Sequence, residues 1–250
     1  ATRNVNIPGI QNFRDLGGYP SYSTKKQVRW GMIYRSAEID SLECYSRREL
    51  RNLGIKTLID LRASSETGRQ SPLQKEFNVV HIPLATGDME NILKGIREEK
   101  IKSDTVYRMV EQMNRDLIDK YTTEYRQIFD ILLDKNSYPV VIHCSSGKGR
   151  TGIVSALVLA ALGINEDIIM EDYRLSNDYF NIPSASKDAY QLPARSQEAI
   201  TTLFSAREDF LNAAKEEAER RYGDIDSYLQ KGIGLNKDEI KRLRSILLSD

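Results

Sequence analysis

Two cysteines in 250 residues are too few for a disulfide framework, and neither Cys44 nor Cys144 shows the paired spacing of a zinc site. Net charge is missing as well. Lys plus Arg equals Asp plus Glu at 36 each, so no global field draws this chain to nucleic acid or to an anionic membrane. Any anion specificity must be local, in a positive pocket. The longest apolar stretch, Ile153 to Leu162, is interrupted by Ser155 and falls well short of the roughly 20 residues a membrane helix needs. No membrane span is therefore expected. The start, ATRNVNIPGI, lacks the basic region followed by an apolar one that marks a signal peptide. A mature chain would look the same after losing its signal, so a cytoplasmic and an exported location are both compatible. Repeats, low-complexity tracts and clear linkers are absent too, which suits one large α/β domain over residues 1–250. Nothing in the sequence specifies an oligomeric state.

What is present is an alternation of strand-like and helix-like segments. NFRDLGGY (Asn12 to Tyr19) carries two adjacent glycines that mark a tight turn. VRWGMIYRS (Val28 to Ser36) reads as a strand with a glycine interruption, and Leu42 to Gly54 as a helix stopped by glycine. IKTLIDLR (Ile55 to Arg62) is a buried strand whose polar end falls at its carboxyl edge, and Phe77 to Leu84 is another strand. From Ile92 to Leu133, apolar residues recur at helical spacing, and two or three helices are expected. Residues 90–135 thus form a helical insertion or lid before the next strand, Tyr138 to Cys144. After it come the loop SSGKGR and an alanine- and leucine-rich helix closed by Gly163. A long helix from about Ser196 to Tyr222, and a last one capped by Asn236 with Glu239, complete an α-rich end. The fold class is α/β, a central mostly parallel sheet flanked by helices.

The stretch HCSSGKGRTG (His143 to Gly152) carries the chemistry. A helix N-terminus leaves backbone N–H groups unpaired and partly positive, so the loop entering it suits an anion. Gly147 and Gly149 let that loop curl until several amides share one centre. Helix N-termini and nearby cations lower a cysteine pKa from about 8.5 to about 3.5–7.5, so Cys144 is expected as a thiolate nucleophile. Arg150 would hold two phosphate oxygens with its planar fork, and Lys148 would add a second cation. Ser145, Ser146 and Thr151 supply hydroxyls to the same phosphate site, while His143 reads as a supporting group. Cys144 could instead be a small buried hydrophobe, and the Cys-x5-Arg spacing with both glycines argues against that. Cys44 reads as packing.

HCSSGKGRTG resembles the signature loop of the protein tyrosine phosphatase superfamily, HCxxGxxR followed by Ser or Thr. Beyond it, NFRDLGGY, YRSAEID, LIDLRASSE, HIPL, GIVSALVLAALGI, EDYRLSN and IGLNKDEIKRLR resemble the bacterial tyrosine/serine phosphatase family along nearly the whole chain. The resemblance implies a cysteine-phosphatase-like fold and a metal-independent hydrolase that works through a phosphocysteine and needs no cofactor. Its substrate would be a phosphorylated protein, at tyrosine or at both tyrosine and serine. That family usually has HCxxGKDRTG, with aspartate where this chain has Gly149. The GKGRTG version belongs to phosphoinositide phosphatases of the superfamily, which makes a phosphoinositide or inositol phosphate the alternative substrate. A loop of this kind could also serve a non-catalytic phosphate-binding module or a sulfurtransferase.

Expulsion of an alkoxide or phenoxide needs a general acid, and Gly149 cannot serve. Asp60, at the carboxyl end of a buried strand and in the DLR segment that the family keeps at its active site, is expected ahead of Asp88. Asp88 lies where the superfamily often carries its acid, on a mobile loop after a strand. Arg14, Asp15, Arg35 and Arg62 are expected to brace the loop or widen its positive rim.

Overall fold

The computed structural model describes residues 2–67 and 72–249. Strand β1 (Arg14–Asp15) runs antiparallel to β4 (Ile33–Ser36), after a short hairpin of β2 (Pro20–Ser21) and β3 (Lys26–Gln27). Helix α1 (Cys44–Asn52), β5 (Thr57–Asp60), the single turn α2 (Ser64–Thr67) and β6 (Asn78–His81) follow. Then come α3 (Met89–Arg97), α4 (Ser103–Lys120), α5 (Thr122–Leu132) and β7 (Val140–His143). The sheet order is β1-β4-β7-β5-β6, and the last four of these strands are mutually parallel.

Strand β7 is central and buried on both sides, as its Val-Val-Ile run requires. Period-2 alternation splits the strands between two cores. Ile33, Ile59, Val140 and Ile142 enter one, and Tyr34, Leu58 and Val141 the other. The apolar run after Arg150 becomes α6 (Arg150–Ala161), apolar on nearly every side because nearly every side is buried. Among the described residues no helix is long and apolar enough to cross a membrane.

Helices α7 (Glu166–Arg174), α8 (Ser176–Tyr179), α9 (Ile182–Ala185), α10 (Ala194–Phe204), α11 (Glu208–Tyr222), α12 (Ile225–Ser227) and α13 (Lys237–Leu247) form the remainder. The capping box expected at Asn236 and Glu239 is present.

Two boundaries differ from the sequence reading. The long helix expected from Ser196 to Tyr222 is two helices, because Asn177 bonds both the N–H and the carbonyl of Ala206, at 2.7 and 2.8 Å, and holds Ser205 extended. The strand expected from Val28 begins only at Ile33, since Gly31 turns the chain at φ +75°. Helices α3 to α5 occupy the region expected to be helical. The buried faces of α4 and α5 belong to the main core.

Candidate active site

Parallel register sets Ser36, His143, Asp60 and His81 side by side at the carboxyl edge of the sheet. Cys144 follows His143 at the centre of that edge, 1 % exposed, and the chain then turns into α6. Ligands of open α/β sheets bind at such an edge. His143 is buried, and burial, against the pull of Asp60, depresses its pKa to about 4. It is neutral near pH 7 and supports the edge from below.

The loop has two unlike faces. On one, its carbonyls are tied down: Asn12 Nδ2 donates to the oxygens of Ser146 and Gly147 at 3.3 and 3.2 Å, and Arg35 Nη2 donates to Gly147 O at 2.6 Å. On the other, the N–H groups of Ser145, Ser146, Gly147, Lys148, Gly149 and Arg150 bond no acceptor among the described residues. Six consecutive free amides at a helix start make an anion nest. Gly147 is obligatory for that turn. Its φ is +72°, and a Cβ there would stand 2.5 Å from the backbone of Ser36. At Gly149 a Cβ would meet nothing within 4 Å.

Beneath the carbonyl face lies a buried ion cluster. Asp172 accepts from Arg35 Nη1 at 3.0 Å and Tyr19 Oη at 2.6 Å, and it lies 3.5 Å from Arg14 Nε. Burial opposes ionisation of Asp172, but the two guanidinium groups win and hold its carboxyl below the usual carboxylate range. Arg14 also bonds Asn12 Oδ1, which aims the Asn12 amide at the loop. Of the residues expected to brace the loop, Arg35 touches it and Arg14 acts through Asn12. Asp15 instead caps the Gly17 and Gly31 amides at 2.7 and 2.8 Å. Arg62 turns to Asp60, Glu38 and Asp40.

Arg150 stands at the first turn of α6, with its terminal nitrogens held by protein acceptors. Glu66 takes both in a fork at 2.6 and 2.8 Å, while Leu84 O and Ser145 Oγ take the remaining N–H groups at 3.0 Å each. Burial opposes ionisation of Glu66, but Arg150 holds its carboxyl below the usual range. Lys148 points inward and donates to Leu203 O at the end of α10, at 2.5 Å. Burial drives its pKa down to about 7, against the attraction of Cys144 and with help from Arg207.

A cavity of about 780 Å³ opens above these groups. It is lined by Cys144, Ser145, Ser146, Lys148, Gly149 and Arg150 from the loop, and by Asp88, but not by Asp60, Gly147 or Thr151. Gly147 faces the backbone of Ser36, and Thr151 is fully buried. Asp60, expected ahead of Asp88, has both oxygens bonded by Arg62 at 3.1 and 2.9 Å, and burial is outweighed there by Arg62 and His143, which lower its pKa. The short DLR spacing pairs the carboxylate with its own neighbour two residues on. Asp88 caps α3, accepting from the Asn91 amide at 3.1 Å, and its residue is exposed at the cavity.

Sequence reasoning missed Asn12, Glu66 and Asp172. Each lies in a segment quoted for its likeness to other chains, but only the folded chain shows which of its polar residues meets the loop. Cys44 is exposed at the start of α1, bonded by Arg47 at 3.0 Å, so it is not the packing residue expected.

A model described as the tyrosine phosphatase family matches residues 5–249. The triple specificity protein phosphatase PtpB of Mycobacterium tuberculosis is 30% identical over 285 residues, covering 97% of this chain and 98% of that protein. A putative tyrosine-protein phosphatase of Cupriavidus necator is 25% identical over 238 residues, covering 93% and 85%. Among solved structures, the core catalytic domain of the PP-IP phosphatase SIW14 from S. cerevisiae, in complex with citrate, aligns with 85% of this chain and 96% of that one. The identity there is 16% and the TM-score 0.40.

Proposed function

This chain belongs to the tyrosine phosphatase family, and we propose that it dephosphorylates phosphotyrosine through a phosphocysteine formed on Cys144. It is a cysteine-based, protein-tyrosine-phosphatase-like hydrolase. The observation that carries the assignment of residues is the run of six amides, unbonded among the described residues, beside the buried Cys144. Fixed donors of this kind need no reorganisation when charge develops on the phosphoryl oxygens.

The Cys144 thiolate attacks phosphorus, the S–P bond forms and the P–O ester bond breaks. The amides of residues 145–150 hold the equatorial oxygens, and Arg150 adds its charge, its guanidinium oriented by Glu66. Asp88 gives its proton to the departing oxygen. Water then attacks the phosphocysteine, Asp88 takes the proton back, and inorganic phosphate leaves. Asp88 replaces Asp60 in this role because it faces the cavity while Asp60 is committed to Arg62. Of residues 90–135, Glu90 and Leu93 of α3 and Val110, Met113, Asn114 and Leu117 of α4 line the cavity. A phosphoinositide is the second reading, favoured by Lys148 as another cation in the cavity.

The test is a series of aryl and alkyl phosphates of rising leaving-group pKa. Cys144→Ser abolishes turnover on all of them. Asp88→Asn loses about 10²–10⁴-fold on the poorest leaving groups and far less on the best, as loss of a general acid requires. Asp60→Asn loses the same factor throughout. A uniform loss from Asp88→Asn would remove it from the mechanism.

A further inference from the structure

The charges of the cavity are sorted by depth. Its lining cations among the described residues, Lys148 and Arg150, are 6 % and 7 % exposed and lie on the floor. Of its lining carboxylates, Glu66 is forked onto Arg150, while Glu38, 3.4 Å from Arg62 Nη1, and Asp88 and Glu90 belong to exposed residues of two separate segments. The floor is also nearly spent. Arg150 is engaged by Glu66, Leu84 O and Ser145, and Lys148 by Leu203 O. One phosphate uses what remains, the free amides and the charge of Arg150. Between floor and mouth the wall is apolar, with Leu93, Met113, Phe180 and Phe204.

A substrate with a single phosphate can bury an aromatic or aliphatic stem against that wall. A second phosphate would emerge among carboxylates, with no lining cation among the described residues left to receive it. Like charges facing each other reject a partner more strongly than matched contacts select one.

We infer that this cavity selects substrates carrying one phosphate on an apolar or aromatic stem, with neutral or basic surroundings, and that Glu38 and Glu90 discriminate against a second phosphate. This rests on the phosphatase reading above and narrows its substrate class, setting polyphosphorylated inositides aside.

The experiment measures phosphate release from three peptides of one sequence, holding phosphotyrosine with neutral, lysine or phosphoserine neighbours, and from inositol hexakisphosphate. Wild-type kcat/KM falls from the lysine peptide to the neutral one and by about ten-fold or more from the neutral to the phosphoserine peptide. Inositol hexakisphosphate is the poorest substrate. Glu90→Lys narrows the gap between the neutral and phosphoserine peptides at least about three-fold; added salt narrows it too. Glu90→Gln acts in the same direction by less. Equal turnover of neutral and phosphoserine peptides, or a gap that Glu90→Lys leaves unchanged, overturns the charge inference alone. Absence of any Cys144-dependent phosphate release overturns the phosphatase reading and this inference with it.

Discussion

The two faces of the loop from Ser145 to Gly149 are built from the same backbone and behave as opposites. Underneath, two loop carbonyls end on Asn12 and Arg35, which end on Arg14 and Asp172, all buried. Above, the N–H groups of residues 145–150 bond no acceptor among the described residues. The lower face explains the upper one. A peptide plane whose carbonyl is held downward must present its N–H upward, so the buried ion cluster orients the anion nest without touching the anion.

Removing the centre of the lower face should erase this contrast most severely. Asp172→Asn leaves two buried guanidinium groups short of their shared counter-charge, and a loss of about 3–5 kcal/mol is expected in chemical denaturation. Arg35→Lys is the more selective variant, because it keeps the charge but loses the fork that bonds both Gly147 O and Asp172. Folded Arg35→Lys should bind orthovanadate at least about ten-fold more weakly, with thermal stability reduced much less than in Asp172→Asn. Unchanged vanadate affinity would show that the lower face does not orient the upper.

The glycines test the same contrast inside the loop. Gly147→Ala forces a side chain into left-handed backbone and against Ser36, costing about 2–4 kcal/mol. Gly149→Ala, in open space at φ −75°, should stay within about 0.5 kcal/mol. Equal losses in thermal melts would mean that Gly147 is not what shapes the turn.

The smallest effect is a pH dependence. Lys148 has its pKa lowered by burial from 10.5 to about 7, so between those values the unfolded chain binds a proton that the folded chain does not. Stability contributed at this site therefore rises with pH above about 7, and below it the cost of burying the charge is constant. Lys148→Met should stabilise the protein more at pH 6 than at pH 9, as read from denaturant midpoints at the two values. An equal gain at both would mean that Lys148 keeps its proton.

Much of this was legible along the chain. Strands β5 and β7, helix α6, the glycine loop and the Cys144 to Arg150 spacing are local patterns, and period-2 and period-3.6 signals need only neighbouring residues to be read. The carboxylates were harder. Asp60 and Asp88 are both acids after strands, and nothing local says that one is gripped by Arg62 while the other faces the cavity. Glu66 sits 84 positions from Arg150, and Asp172 lies 137 from Arg35; neither pairing has a sequence period to betray it. The break between α10 and α11 escaped for the same reason, since the residue that makes it, Asn177, is 29 positions away.

The order of residues was enough to pick out Cys144, Arg150 and the loop that joins them, because those groups lie within seven residues and their geometry follows from a strand, a glycine turn and a helix start. It took the folded chain to decide which carboxylate faces the cavity and which cations are engaged by the protein. Charges interact through space with whatever the fold brings near, and the chain's order does not record those distances.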